Sequence, residues 1–310
     1  MDKELRNATK NFKKVKPNTV FDFSKFYEHR KYPRFFMSVL YLASKPDYYY
    51  GMVNDCLCIL KKKMIGMPIV YLIIPPINGD ISKEKETIDY FNKLKIKTRL
   101  SEEDKYIYGY NNIKENKLGE FIYDLELTTK LEGSDFTSFR RFIRKLSDNV
   151  DVSYIKQFDF FGIKQAIALN SKWEKWKKEN KDRASCHTVD KTVPIFMDTK
   201  NSILVALLDK SNNMVCYDLS ENVGNDNIVI TTRYFDYYNP LVNNSVYYLH
   251  HNTCKYWYEE GFRGLANFGS SVGVKDLDAS KQRLKPVKIL KMYDFDYNYK
   301  FTKDEWNAIC

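Results

Sequence analysis

Hydrophobic residues occur in blocks whose spacing identifies the secondary structure of the first half of the chain. Residues 48–60 have the pattern of a strand, and residues 67–74 (MPIVYLII) form a continuous apolar run typical of a buried strand. Pro75 and Pro76 end this run, because proline cannot continue a strand ladder. From a Ser82 N-cap, the pattern changes to that of an amphipathic helix. The first half is therefore predicted to combine strands and helices.

The second half shows a clearer series of elements, which repeats the order of the first half. Its periodicity predicts a helix, a hairpin, a strand, a helix, a strand, a helix and a strand. These elements lie at 163–180, 201–208 with 214–219, 227–234, Asn244 or Ser245 to Gly261, 264–268, 276–284 and 287–295. Gly261 has the position expected of the glycine that follows a helix. Two similar halves are therefore predicted.

A basic amphipathic segment joins the two halves. Residues 124–149 have helical spacing interrupted at Gly133, with Phe136, Phe139 and Leu146 on one face. Four basic residues occupy the other sides of this helix: Arg140, Arg141, Arg144 and Lys145. The segment is either a connector with a solvated basic face or a contact surface for phosphate and nucleic acid, tRNA included.

Composition agrees with a folded chain of two domains. The 310 residues are 44% hydrophobic and 29% charged, which is typical of globular proteins. We predict an N-terminal unit at 1–124, a basic helical connector at 125–150 and a C-terminal unit at 151–310 that carries the active site. The net charge of +10 attracts polyanions such as nucleic acid, a phosphate-bearing cofactor or an anionic membrane surface. A lysine-rich solvated surface has the same charge and stays open as an interpretation.

The sequence shows no sign of a membrane segment or of a metal site. It contains no run of 18 apolar residues, and its N-terminal segment is polar, so a cytoplasmic protein without integral membrane contact is predicted. Cys56 and Cys58 face the same side of a strand, but no second ligand pair follows them, and no metal is expected.

Two cysteine–histidine pairs are candidates for thiol chemistry. His250 and Cys254 lie one helical turn apart, and Cys186 precedes His187 in a polar segment. Neither pair has an adjacent residue that would orient the imidazole. Packing or simple exposure is therefore the favoured interpretation of both pairs.

The order of elements resembles that of the GNAT superfamily of N-acetyltransferases, in which a mixed sheet opens between two central strands so that donor and acceptor meet in the gap. The last quarter, KYWYEEGFRGLANFGSSVGVKDLDASKQRLKPVKIL, resembles more narrowly the lysylphosphatidylglycerol-synthase C-terminal-like family. That family has Glu-x-Gly, Asn-x-Gly-x-Ser and Gly-x-x-x-Leu steps, then a lysine and a closing proline. The matching residues are Glu259, Gly261, Asn267, Gly269, Ser270 or Ser271, Gly273, Leu277, Lys281 and Pro286. The resemblance spans 20–298.

The resemblance implies an α+β fold of two tandem GNAT-like units, each a mixed, mostly antiparallel sheet flanked by helices. It also implies an aminoacyl-tRNA donor and a lipid acceptor. The sequence departs from ordinary acetyltransferases at 231–249, which contain no glycine for a pyrophosphate cradle and include Pro240, which lacks an N–H donor. This departure favours aminoacyl-tRNA as the donor, with acyl-CoA as the alternative.

In a GNAT-like fold, residues at the ends of the central strands face the gap. Asp236 is predicted as general base or amine anchor, and Asn267 and Ser270 as groups that polarise the donor carbonyl. The predicted cofactor ligands are Arg233, Ser271, Lys281 and Lys285. Each prediction has a structural alternative, namely a turn cap for Asp236, a strand end or helix cap for Asn267 and Ser270, and solvation for the two lysines.

The sequence thus predicts an acyl- or aminoacyltransferase that acts on an amine or hydroxyl acceptor. The acceptor is predicted only as a small molecule, a lipid or a modified nucleotide. An acyl-CoA-dependent N-acyltransferase is the alternative enzyme. A non-catalytic tandem fold that binds nucleic acid or protein is the alternative outside enzymes.

Overall fold

The computed structural model describes residues 7, 9–65, 67–94, 96–111, 113–180, 192–199, 201–271 and 273–295. Twelve strands in this part of the chain form one mixed sheet: β1 (Lys13–Lys14), β2 (Tyr48–Val53), β3 (Cys56–Ile65), β4 (Met67–Leu72), β5 (Lys97–Ser101), β6 (Ile113–Asp124), β7 (Val150–Ile155), β8 (Ser202–Asp209), β9 (Met214–Gly224), β10 (Asn227–Phe235), β11 (Leu265–Ser270) and β12 (Lys288–Phe295). Ten helices with bounds in the same ranges flank it: α1 (Val20–Tyr27), α2 (Val39–Ala43), α3 (Ile81–Lys93), α4 (Glu102–Tyr108), α5 (Leu125–Lys130), α6 (Thr137–Ser147), α7 (Phe160–Glu179), α8 (Thr192–Phe196), α9 (Ser245–Glu259) and α10 (Lys275–Arg283).

The sheet has a symmetric strand order, β1-β2-β3-β4-β5-β12-β6-β11-β10-β9-β8-β7. Exchanging β1–β6 for β7–β12 and reading from the other edge reproduces this order, so the two halves of the chain repeat one topology. Each half has a run of antiparallel strands followed by one parallel pair, β4 with β5 and β10 with β11. The last strand of each half crosses over, because β12 pairs with β5 and β6 pairs with β11.

The structure confirms an α+β fold with a large mixed sheet flanked by helices. It differs from the prediction of one sheet in each unit, since β6 and β12 join the two halves in a single hydrogen-bonded sheet. The physical reason is the crossover of these strands, whose backbone groups find their partners in the opposite half. The division into units at 124 and 150 stays a prediction.

The first half differs from the predicted elements in two places. The strand predicted over 48–60 is two strands, β2 and β3, joined by Asn54 and Asp55, whose φ angles are 50° and 60°. Asn and Asp tolerate this left-handed geometry, which suits a two-residue hairpin turn. The N-cap of α3 is Asp80 instead of Ser82, because Asp80 Oδ1 accepts the Ser82 N–H at 2.9 Å. The elements predicted for the second half are confirmed, with β9 longer than predicted, whereas β7 and α8 are additional elements that the sequence did not predict.

Strand β8 shows how the sheet is buried on both faces. Ile203, Val205 and Leu207 belong to the core beneath α6 and α9, whereas Leu204 and Ala206 belong to the core beneath α7 and α8. A strand with both faces buried has a continuous apolar sequence, which explains why this segment reads as an apolar run.

The structure bears on the expectations about membranes, metals and thiols only within the described residues. Among the described residues, no helix combines the length and the apolar character needed to cross a membrane. The same residues contain no group of three histidine, cysteine or acidic side chains arranged for a metal ion. Burial raises the pKa of the Cys254 thiol and lowers the pKa of His250, which favours packing over thiol catalysis. Cys186 and His187 lie outside the described residues.

Candidate active site

A gap opens between the two parallel strands β10 and β11. They pair only through Ile228 with Ala266 and Val229 with Asn267. Beyond that point β10 continues to Phe235 on β9, while β11 follows β6 on its other side. The carboxyl ends of parallel strands are where open sheets bind ligands. The residues around this gap therefore form the candidate active site.

A bulge at the end of β11 shapes one side of the gap. The register of β11 on β6 shifts between Asn267 and Ser270. Gly269 within it has φ of +64°, and a Cβ at this position would lie 3.1 Å from the ring of Phe35. Asn267 Oδ1 accepts the N–H of Gly269 at 2.6 Å. Glycine is therefore needed here for both its conformation and its small size.

Lys281 of α10 reaches across to the end of this strand. Its Nζ donates to the carbonyl oxygens of Phe268 and, at 3.0 Å, of Ser270. Burial lowers the pKa of Lys281 to about 7, and the nearby charge of Arg233 acts in the same direction. Near neutral pH, this amine therefore exists in both charged and neutral forms.

Arg233 of β10 lies on the opposite side of the gap. Its Nε and Nη2 donate to the two oxygens of Asp218, both at 2.6 Å, and the Asp218 side chain is fully buried. Thr253 Oγ1 also donates to Asp218, at 2.9 Å. The guanidinium carbon of Arg233 lies 4.7 Å from the centroid of the Phe268 ring. This bidentate pair holds a positive group rigidly beside the gap.

His250 of α9 closes the floor beneath Phe268. Its ring centroid lies 4.3 Å from that of Phe268 and 4.6 Å from that of Tyr123. Neither ring nitrogen has a hydrogen-bond partner within the described part of the chain, and the residue is fully buried. Burial lowers the pKa of His250, so the ring is neutral and packs with the aromatic rings of Tyr123 and Phe268.

Four of the predicted site residues come together at this gap. They are Arg233, Ser270, Ser271 and Lys281. The Ser271 hydroxyl donates to Asp278 Oδ1 at 3.0 Å, which fixes the start of α10. Lys285 is exposed in a left-handed turn after α10, with φ of 62°. The ligand roles of these residues stay predictions.

The other two predicted catalytic residues make different contacts. Asp236 accepts the Lys172 ammonium at 2.7 Å and the Tyr238 N–H at 3.1 Å, which joins the turn after β10 to α7. The Asn267 amide nitrogen donates to Glu120 Oε2 at 2.6 Å, on the opposite face of β11 from Phe268. These contacts favour the structural alternatives for both residues, and their catalytic roles stay predictions.

On the Asn267 side of β11, the first half of the chain contains a buried cluster of charges, which contacts the second half through Asn267. We name it the arginine–carboxylate cluster: Arg30, Arg34, Glu84, Asp104 and Glu120. Arg34 bridges Asp104 at 2.8 Å and Glu120 at 3.7 Å, and Arg30 bridges Glu84 at 3.2 Å. All five side chains are at most 11% exposed. The negative charge of Glu120 also raises the pKa of Lys281, which connects this cluster to the gap.

Sequence reasoning missed most of the charged residues around the gap. Asp218 alone has a sequence signal, because a carboxylate inside the apolar segment MVCYDL requires a buried partner. Arg34 and Glu120 lie far apart along the chain, and no local pattern relates them. Their association is a property of the fold.

The basic helix α6 divides into one structural arginine and an exposed group. Arg140 donates to the carbonyl oxygens of Leu131 and, at 2.9 Å, of Gly133. It therefore holds the connection between α5 and α6. Arg141, Arg144 and Lys145 are exposed, and their contact with nucleic acid stays a prediction.

Glu221 of β9 is a buried acid at the junction of the two halves. Its Oε2 accepts the Ser38 hydroxyl at 2.5 Å and the Leu40 N–H at 3.0 Å, and burial raises its pKa to about 7. The folded state therefore holds this proton more tightly than the unfolded state, whose pKa is the ordinary 4.5. The associated stability is present at low pH and is lost as pH rises towards and through 7.

We expect Glu221→Gln to stabilise the protein at pH 8 by about 1–3 kcal/mol and to have little effect at pH 5. Glutamine keeps an oxygen acceptor and cannot ionise. Urea unfolding of variant and wild type at both pH values measures the difference. Glu115→Gln, at an exposed site on β6, is the control and should show no pH-dependent difference. An effect of Glu221→Gln that is equal at the two pH values contradicts the prediction.

Solved structures of three proteins resemble this fold over almost the whole chain. A conserved protein of unknown function from Bacteroides thetaiotaomicron has a TM-score of 0.75 at 14% identity, covering 92% of this chain and 98% of its own. The DUF2156 C-terminal domain of a protein assigned as lysylphosphatidylglycerol synthetase from Agrobacterium fabrum has a TM-score of 0.66 at 10% identity, covering 94% of both chains. L-PGS from Bacillus licheniformis has a TM-score of 0.65 at 14% identity, covering 93% of this chain and 94% of its own.

Comparison of sequences alone adds nothing to these likenesses. No protein-family model matches the chain, and no curated protein matches its sequence. At such low identity, the structural likeness concerns the fold. The chain therefore has a GNAT-like fold related to that of the lysylphosphatidylglycerol synthetase C-terminal domain.

Proposed function

We propose that the chain is an acyltransferase that moves an activated acyl group, with aminoacyl-tRNA as the favoured donor, onto an amine or hydroxyl acceptor. The observation that carries this proposal is the Lys281 amine, with a pKa of about 7, at the gap between β10 and β11. Attack on an ester requires a base that takes a proton from the acceptor near neutral pH. The hydrogen bonds of Lys281 suit this role.

A neutral amine has two N–H donors and one lone pair. The carbonyl oxygens of Phe268 and Ser270 accept the two donors of Lys281, which leaves the lone pair to accept a proton. In the proposed step, the acceptor nitrogen or oxygen bonds to the carbonyl carbon while its proton passes to Nζ of Lys281. The ester C–O bond then breaks, and the proton returns to the leaving hydroxyl.

The oxyanion formed in this step needs a nearby donor. Ser270 and Arg233 lie at the same gap as Lys281 and are the proposed groups. Asn267 holds the bulge that positions Ser270. Its side-chain amide accepts the Gly269 N–H and donates to Glu120. Asp236 is proposed to fix the adjacent turn, with amine anchoring as its predicted alternative.

The segment between β10 and α9 supports aminoacyl-tRNA over acyl-CoA. A 3-10 turn occupies Pro240–Val242, and Asn239 Oδ1 accepts the N–H of Leu241 at 3.0 Å. Pro240 has no N–H, and the turn has no glycine, so the backbone offers a poor pyrophosphate cradle. The exposed Arg141, Arg144 and Lys145 offer phosphate contacts for tRNA instead.

Retention of labelled donors tests this proposal. The protein is incubated separately with charged tRNA, deacylated tRNA and acetyl-CoA, and bound species are identified by mass spectrometry. We expect charged tRNA to be retained and its aminoacyl group to pass to added amines. Turnover of acetyl-CoA instead assigns the acyl-CoA alternative. Binding of deacylated tRNA without any transfer contradicts the enzyme and favours the non-catalytic alternative.

Charge reversal on α6 is expected to weaken tRNA binding. The variant combines Arg141→Glu, Arg144→Glu and Lys145→Glu. Each phosphate contact that it loses should reduce the slope of log K against log salt concentration by about 0.7–0.9. Arg140 stays unchanged because it holds the α5–α6 connection. Reversal at Lys83, Lys85 and Lys93 on α3 is the matched control. If the α6 variant and the wild type have equal slopes of log K against log salt concentration, α6 is a connector and not a tRNA contact.

A further inference from the structure

Three phenylalanines stand exposed where α7 begins. Phe158, Phe160 and Phe161 are 82%, 59% and 65% exposed, and Ile167, two turns along the helix, is 43% exposed. Single exposed apolar residues are common, but three aromatic rings within four positions form a contiguous patch that water solvates poorly. We name these four residues the phenylalanine patch.

The patch is separate from the hydrophobic core. The inner face of α7 packs on the sheet through Ile163, Ala166 and Leu169. The patch lies on the outer face of the same helix and on the turn before it, so the core is complete without it. Asp159 caps the helix by accepting the Gly162 N–H at 3.0 Å, which holds the three phenylalanines on a rigid support.

Exposed lysines flank this patch. Lys156 and Lys164 are exposed on either side of the three phenylalanines. Exposed Lys178 continues along the outer face of α7 towards its C-terminal end, where Lys175 pairs with Glu179 at 3.9 Å. The one acidic residue between the phenylalanines, Asp159, is engaged by the helix N-terminus. An apolar tip with basic flanks is complementary to an anionic lipid surface. The aromatic rings can insert below the lipid headgroups, and the lysines can pair with the negatively charged headgroups.

We propose that the phenylalanine patch is a peripheral docking site for an anionic membrane surface, with its rings in the interface and Lys156 and Lys164 at the phosphates. The attachment is reversible and does not span the bilayer, because the patch offers only a few side chains. A partner protein is the competing occupant, and the basic flanks favour the lipid. This inference does not depend on the transfer reaction.

Vesicle sedimentation of the full chain tests the proposal. Vesicles of phosphatidylcholine with phosphatidylserine are compared with phosphatidylcholine alone, and phosphatidylserine keeps the test distinct from recognition of an acceptor lipid by the active site. We expect binding to the anionic vesicles that weakens with salt. Phe158→Ser with Phe160→Ser and Phe161→Ser should reduce it about tenfold or more. Tyr90→Ser with Tyr106→Ser, at exposed rings elsewhere, is the matched control.

The lysines are tested separately. Lys156→Glu with Lys164→Glu should remove the preference for anionic vesicles, whereas Lys85→Glu with Lys93→Glu on α3 should keep it. Thermal unfolding verifies that each variant is folded. Absent vesicle binding, or equal binding by the phenylalanine variant and wild type, overturns the proposal. If that variant instead changes the oligomeric state of the protein, the patch is a protein interface.

Discussion

Lys281→Met is expected to reduce the transfer rate by about 10²–10⁴-fold, which is the usual contribution of a positioned general base. Methionine keeps most of the side-chain volume, and the loss of a buried amine should leave the thermal stability equal or higher. The measurement is the single-turnover rate with the donor identified by the binding experiment. Lys275→Met, at an exposed position on the same helix, is the control and should retain full activity.

The pH profile separates this role from that of a cationic ligand. The base must be unprotonated, so the wild-type rate should rise with pH and level off above about 7, the pKa of Lys281. Lys281→Met should lose this rise. Lys281→Arg keeps a permanent positive charge and cannot act as a base. An active arginine variant contradicts the proposed role and identifies position 281 as a phosphate or carboxylate ligand.

Asp104→Ala is expected to lower the free energy of unfolding by about 3–5 kcal/mol. Asp104 accepts the Arg34 guanidinium at 2.8 Å and the Arg30 guanidinium at 3.3 Å, and the substitution leaves both buried charges without this partner. The substitution also removes Asp104 Oδ2, which accepts the Ser101 N–H at 2.7 Å. Urea unfolding at constant pH measures the loss.

An exposed ion pair provides the matched control for this substitution. Asp55 contacts Lys83 at 3.1 Å, with the two side chains 81% and 47% exposed. Asp55→Asn removes the pair, keeps a residue that tolerates the left-handed φ of 60° in this turn, and should cost less than about 1 kcal/mol, because water screens the pair. A similar small loss for Asp104→Ala would contradict a buried cluster whose charges depend on one another. If Asp104→Ala lowers the free energy of unfolding strongly while the folded protein keeps the wild-type transfer rate, the cluster contributes to stability and not to transfer.

The sequence located several residues that line the gap, because these residues stand at the ends of neighbouring elements. Arg233 ends a strand rich in β-branched residues, and Ser270 and Ser271 end the next strand. Lys281 lies on the helix that follows. Periodicity and turn signals locate such ends, and the parallel arrangement of β10 and β11 brings them to one side of the sheet.

Other parts of the site have no local signature. Asp236 reads equally well as a base or as a turn cap, and its contacts with the Tyr238 N–H at 3.1 Å and with Lys172 at 2.7 Å favour the turn. The hairpin turn at Asn54 and Asp55 is hidden within a run of strand-forming residues. In each case, one sequence pattern permits two structures, and contacts with distant residues select between them.

The sequence by itself determined most strands and helices of the second half, although not β7 or α8, and the residues that stand at their ends, because these depend on local periodicity, capping and turn chemistry. The tertiary structure alone decided that β6 and β12 cross over into one sheet and that Arg34, Asp104 and Glu120 meet beside β11. It also decided the low pKa of Lys281. Strand pairing between the halves, charge neutralisation and desolvation all depend on contacts between residues far apart in the chain, which no local pattern encodes.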